Sequence, residues 1–162
     1  MKREAFAEVG PLAKLGERQV RALLDCGRSR SFAVDEVVIE QGALNASLFI
    51  VLDGVLHVRR RAEGRQVHLG QLDPGSSFGD ISLFDPGPTT ADVVGVMAGN
   101  LVELDGALMD LFMLEHPAAA ACLLRFLLEE MAQRLRRTDE RLVEAIFWGG
   151  LLREQPIDRA SA

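Results

Sequence analysis

Between Arg30 and about Leu104 the chain is a succession of short β-branched runs, broken at regular intervals by turn residues. Phe32–Val34 leads through Asp35-Glu36 to Val37-Val38-Ile39. Leu48-Phe49-Ile50-Val51-Leu52 is closed by Asp53-Gly54, a tight-turn signal. Val55–Arg61 and Arg65–Leu72 flank Glu63-Gly64, Asp73-Pro74-Gly75 makes a further turn, and Ala91–Met97 and Leu101–Leu104 flank Gly99-Asn100. Many short strands at this spacing predict an antiparallel sandwich, jelly roll or small barrel. With Glu63-Gly64 as a two-residue turn, Arg59 pairs with His68 and Val58 with Leu69. Leu56, Val58, Val67 and Leu69 then share a core face, while His57, Arg59, Arg61, Gln66 and His68 face water.

Helical patterns flank this region. Residues 4–26 carry Leu12, Leu15, Val20, Leu23 and Leu24 on one face, with Pro11 and Gly16 dividing the segment. Residues 107–115 form a short helix that stops before Pro117, a residue suited to the first turn of the next helix. That helix runs to about Trp148. Leu124, Leu128, Met131, Leu135, Thr138, Leu142 and Ala145 recur on it at alternating four- and three-residue steps, a heptad seam that usually means a partner helix, with packing on its own domain as the alternative. Gly149-Gly150 is expected to end it, leaving residues 149–162 as a disordered tail after one domain spanning 1–148.

The chain has 162 residues, 48% of them hydrophobic and 26% charged, the profile of an ordinary globular domain with its own core. The formal net charge of -6 argues against nonspecific attraction to nucleic acid or anionic membrane. No apolar run approaches the roughly 18 residues of a membrane span, and no signal peptide follows Met1-Lys2-Arg3-Glu4. A cytoplasmic location is expected. Cys26 and Cys122 read as free thiols of a reducing compartment, neither with a Cys or His partner at zinc spacing. His57 and His68 fall on the outer hairpin face and His116 in a helix connection, so solvated or structural roles, and no metal, are expected. Ser82 has no evident His partner, and Asp80 with Asp85 or Asp92 makes no recognisable carboxylate pair, so no enzyme is expected.

Phe78-Gly79-Asp80-Ile81-Ser82-Leu83-Phe84-Asp85-Pro86-Gly87-Pro88-Thr89-Thr90-Ala91-Asp92-Val93 adds a specific signal. Taken with Leu48–Val58 before it, the approach Leu72–Asp80 and the exit Thr90–Val94, this stretch resembles the phosphate-binding cassette of cyclic-nucleotide-binding domains. The order helix, β-roll, short helix, long helix is similar to the effector domain of the catabolite activator protein family over about residues 10–148. The fold this implies is α+β: an antiparallel β-roll (a double-stranded, cupin-like jelly roll) flanked by N-terminal helices and a long C-terminal helix.

The resemblance implies a cyclic nucleotide, cAMP or cGMP, as ligand. In such cassettes a glycine lets the backbone approach the ligand, and a short helix directs N–H groups at the cyclic phosphate. A glutamate accepts from the ribose 2′-hydroxyl, an arginine neutralises the phosphate, and polar residues on the long helix contact the base. By position Gly79 is the glycine, Asp80 stands for the glutamate, and Ile81 and Ser82 offer backbone donors. Thr89 stands where arginine is expected, Thr90 and Ala91 lead into the exit strand, and Thr138 matches a base-contacting threonine. Two plainer roles stay open: Asp80 as a helix cap and Thr138 as a register-fixing polar residue in the seam.

Losing the charged partner of a buried ion pair costs about 2–5 kcal/mol, or roughly one and a half to three and a half decades of affinity. The expectation is a non-enzymatic regulatory or sensor domain with weak, altered or absent cyclic nucleotide binding. It is homodimeric through residues 117–148 and signals to a protein partner. The alternatives are a true cAMP or cGMP receptor with an unusual cassette and a ligand-free protein-interaction module. In the transcription factors of that family a helix-turn-helix domain follows the long helix; residues 151–162 are too few to form one, so direct DNA binding is not expected.

Overall fold

The computed structural model describes residues 16–153. α1 (Glu17–Cys26) is followed by β1 (Arg28–Phe32), β2 (Val37–Ile39), β3 (Leu44–Asn45), β4 (Ser47–Ala62), β5 (Arg65–Leu72) and β6 (Ser77–Phe78). Then come α2 (Asp80–Phe84), β7 (Gly87–Pro88), β8 (Asp92–Asp105), α3 (Gly106–Glu115) and α4 (Pro117–Arg153). The expected α+β fold, an antiparallel β-roll between helical flanks with a long C-terminal helix, is observed. The part of the expected 4–26 helix that precedes residue 16 lies outside the described residues. Among the described residues, no helix is long and apolar enough to cross a membrane.

Residue contacts divide the chain into two compact units, the first ending at Leu124 and the second beginning at Arg125. In the first unit β4 and β8 form the spine of a six-stranded antiparallel sheet, in the order β1-β8-β4-β5, with β2 on β8 and β6 on β4. β3 and β7 pair separately. Leu48-Phe49-Ile50-Val51-Leu52 is buried on both faces, which is why this segment lacks polar alternation. Phe49, Val51 and Leu56 join Phe32, Val38, Ile39, Phe78, Val93 and Leu101 in the interior of the roll. Leu48 and Ile50 pair with Leu104 and Val102 on the opposite face. Gly27, which caps α1, lies against Val102 there.

Two expected turns are not turns. β4 runs straight through Asp53-Gly54 and β8 through Gly99-Asn100, and the two sites oppose each other as register shifts in one bent ribbon. A β-bulge and a tight turn both need glycine, so the residue types look alike in sequence. Gly54 sits at φ +81, and a Cβ on Gly99 would lie 2.1 Å from the Asp53 carbonyl oxygen. The Asn100 amide nitrogen fastens the crossing by donating to both Asp53 carboxylate oxygens, at 3.0 and 3.1 Å.

The Glu63-Gly64 turn is observed, with both residues at positive φ and Ala62 paired to Arg65. Arg59 pairs with His68 as expected, but a bulge follows, so Val58 meets Gly70 rather than Leu69. Val67 and Leu69 are exposed rather than in the core, because the hairpin tip extends beyond the packed interior. α4 also departs from expectation. It continues through Gly149-Gly150 to Arg153, so residues 149–153 are helix rather than tail. Glycine in a helix costs only about 1 kcal/mol relative to alanine, which does not dictate a stop.

Candidate functional site

The cassette begins at Gly79, where φ of +78 turns β6 into α2. A Cβ there would come within 2.3 Å of the Ser47 carbonyl oxygen and 3.1 Å of the Asn45 amide nitrogen. The glycine is therefore demanded by close packing on the β3–β4 connection as well as by its backbone angle. Phe78 fixes the approach by stacking on Phe49, ring centroids 5.0 Å apart.

Gly79 itself occupies the N-cap position of α2, and no side chain caps the helix. Asp80 is thus the first helical residue, and the capping role considered for it is not observed. Its side chain is buried. The first amides of any helix lack intrahelical acceptors, so the N–H groups of Asp80, Ile81 and Ser82 have none within α2. Ser82 and Leu83 are buried while Ile81 and Phe84 are exposed.

Thr89 has a different occupation. Its hydroxyl donates to the Glu40 carbonyl at 2.5 Å. Its N–H donates to the Ala43 carbonyl at 2.9 Å, and its carbonyl accepts from Gly42 N–H at 2.8 Å. Together with the Leu44–Pro88 and Asn45–Gly87 pairs, these bonds close the 40–45 segment onto the 87–89 segment. The hydroxyl proton of Thr89 is committed to the chain, so the side chain retains only acceptor capacity. Thr90 is exposed and Ala91 buried.

A network unsuspected from sequence adjoins Thr89. Asp92, buried to 6% exposure, accepts from Gln41 N–H at 2.7 Å and from Arg61 Nη2 at 3.2 Å. Arg61 and Gln41 exchange two further bonds, Arg61 N–H to Gln41 Oε1 at 2.7 Å and Gln41 Nε2 to the Arg61 carbonyl at 3.1 Å. Arg61 Nη2 also lies 3.5 Å from Glu40 Oε1. Arg61 is exposed, as the hairpin reading expects, and its guanidinium pairs with Asp92 and Glu40. Partners separated by 31 and 51 residues leave no local pattern to detect.

The structure places Gly79, Asp80, Ile81 and Ser82 at the β6–α2 turn, and Thr89 directly after β7, bonded to the 40–43 segment. Thr138 belongs to the second unit, where its hydroxyl donates to the Arg134 carbonyl at 2.9 Å. Of the seam residues, Leu128, Leu135 and Leu142 are 66%, 62% and 56% exposed. Val143, Ile146, Phe147 and Trp148 extend the exposed apolar surface. His57 and His68 meet edge to face on the outer side of the hairpin, their ring centroids 4.4 Å apart.

Comparison with known proteins agrees with this fold. The family model described as "Cyclic nucleotide-binding domain" matches residues 29–116. The "CRP-like cAMP-activated global transcriptional regulator" of Mycobacterium tuberculosis is 30% identical over 145 residues, 89% of this chain. The chain spans 63% of that relative's length. The Thermus thermophilus catabolite activator protein superposes with a TM-score of 0.74 at 27% identity, covering 85% of this chain and 64% of that one. The N-terminal domain of a Streptomyces coelicolor A3(2) transcriptional regulator gives a TM-score of 0.68 at 27% identity, over 85% of this chain and 96% of that domain.

Proposed function

This chain belongs to the cyclic nucleotide-binding domain family, and from that membership we propose a non-enzymatic regulatory domain with a weakened nucleotide site. One observation carries the proposal: the cassette's arginine position is Thr89, whose hydroxyl proton is already donated to Glu40. A cyclic phosphate entering this cassette meets the amides at the start of α2 but no counter-cation from Thr89. Arg61 does not substitute for it, because Asp92 and Glu40 hold its guanidinium. Desolvating a phosphate without a paired charge is costly. Affinity falls by roughly one and a half to three and a half decades below that of an arginine-bearing cassette.

The output element is α4. Its exposed leucines at heptad spacing support a homodimer in which two copies pair through residues 117–148 and pass their arrangement to a protein partner in the cytoplasm. Because the mycobacterial relative is named as cAMP-activated, cAMP is the first ligand to test. Isothermal titration of the purified protein with cAMP and cGMP is expected to give no saturation through the micromolar range. Tight micromolar binding would overturn the weakened-site proposal. Sedimentation is expected to give a dimer, and a monomer at high micromolar concentration would remove the proposed role of α4.

A further inference from the structure

A cluster of metal-binding chemistry lies in the first unit. Cys26 is the last residue of α1, Glu115 the last of α3, and His116 caps α3 immediately before Pro117 opens α4. One ligand atom from each (thiol sulfur, carboxylate oxygen and imidazole nitrogen) falls within 4.8 Å of the other two. The chain has only two cysteines and three histidines, and one of each meets here across the fold.

We propose that Cys26, Glu115 and His116 bind a divalent transition metal of the zinc class. A thiolate, an imidazole and a carboxylate form a mixed set suited to Zn2+ and poorly suited to Mg2+ or Ca2+, which prefer all-oxygen shells. Zinc–ligand bonds of about 2.0–2.3 Å put neighbouring ligands of a tetrahedral site roughly 3.5 Å apart. Small rotamer adjustments close the cluster to that spacing. The surroundings favour the arrangement: Cys26 is half-buried, and the His116 ring leans on Phe112 with centroids 5.7 Å apart. Glu115 is exposed, which leaves the cluster open to an ion and a fourth, water ligand. Binding fastens the end of α1 to the α3–α4 elbow.

The test uses the full chain, stripped with a chelator under reducing conditions and titrated with Co2+ as a spectroscopic stand-in for Zn2+. The expected result is one Co2+ per chain, with tetrahedral d–d bands and a thiolate-to-cobalt charge-transfer band. Zn2+ should displace the cobalt and raise the melting temperature. Cys26→Ser should abolish the charge-transfer band. Cys26→Ser and His116→Gln should each weaken Zn2+ binding by more than the roughly 10–100-fold that loss of a supporting contact costs. Circular dichroism establishes that these variants are folded, and Glu115→Gln provides a third, surface-exposed probe. Cys122→Ser and the double change His57→Ala with His68→Ala should leave the spectrum unchanged. A wild-type chain that binds no Co2+ overturns the proposal. So does a thiolate band that survives Cys26→Ser, or a site lost with His57 and His68.

Discussion

The segment from Gly79 to Asp92 and the part of α4 beyond Leu128 treat their side chains in opposite ways. Around the cassette, polar side chains bond back to the chain. Thr89 donates to Glu40, Arg61 is held by Asp92, and Asp92 also receives the Gln41 amide. On α4 the apolar groups of a regular seam point outward, with Leu135 62% exposed. A buried polar group is satisfied by whichever partner reaches it, so a pocket can close on itself when a ligand contact is lost. An apolar helix stripe has no such internal remedy, and removing it from water requires another surface. In the proposed reading the cassette keeps a family pattern with altered chemistry, whereas α4 keeps an exposed apolar stripe for a second copy.

The largest expected effect falls on α4. Leu135→Arg places a charge in each half of the proposed seam and removes a leucine from each copy. Burying a leucine contributes about 1.5–3 kcal/mol, so two copies lose roughly 3–6 kcal/mol before the charge is considered. Sedimentation should report a monomer where the wild type is dimeric, with unchanged cyclic nucleotide titration. Next in size is the cassette. Asp80→Glu with Thr89→Arg supplies the longer carboxylate and the cation, and should strengthen cAMP binding by about 2–5 kcal/mol. A folded double variant that still ignores cAMP would show that closure of the 40–45 segment, rather than the missing charge, controls the site.

Much of this architecture was legible. The β-branched runs of the roll, the Asp73-Pro74-Gly75 turn and the Glu63-Gly64 turn follow from local propensity. The Ser76 N–H to Asp73 carbonyl bond of 2.9 Å and the positive φ at Gly64 are the geometries those residues favour, while Glu63 is held at φ +50 by the tight turn it shares with Gly64. Asp53-Gly54 and Gly99-Asn100 misled because a bulge inside a paired ribbon makes the same backbone demand as a turn. Which one forms depends on the opposite strand, information 47 residues away for Asn100 and Asp53. The cassette's pattern was readable through its resemblance to a family motif, while the packing of Gly79 against Ser47 was not, because it lies in a distant segment. The fate of Thr89 was not, because its acceptor lies 49 residues back at Glu40.

Gly79 offers a finer cut through the cassette. Gly79→Ala must hold an alanine at φ +78 and clear the Ser47 carbonyl, 2.3 Å from the new Cβ. Left-handed backbone at a non-glycine residue costs about 1–3 kcal/mol, and the backbone clash adds to it. Gly42→Ala is the matched control, with φ +86 and nothing within 4 Å of its Cβ. Thermal melts should rank wild type above Gly42→Ala, and Gly42→Ala above Gly79→Ala. Equal losses at the two sites would mean that close packing on the 45–49 segment contributes nothing to the cassette's geometry.

The smallest expected effect is a pH dependence confined to the roll. Glu36 accepts from the Ala33 N–H at 2.9 Å and from Arg30 Nη2 at 3.1 Å, clasping the β1–β2 connection. The Ala33 bond, then the Arg30 bond, hold its carboxyl below the usual value. A depressed carboxyl stabilises the fold fully above its unfolded pKa of about 4.3, and that contribution disappears as pH falls through the folded value. Glu36→Gln keeps the shape and one acceptor but removes the charge. At neutral pH its urea midpoint should lie slightly below the wild type's, and the two should converge in acid once the wild-type carboxyl is protonated. Because the clasp sits in the first unit, association through α4 should be the same in both proteins at neutral pH. A difference that persists in acid would assign Glu36 a packing role rather than an ionic one. A change in association would couple the roll to the helix seam and weaken the contrast between the two regions.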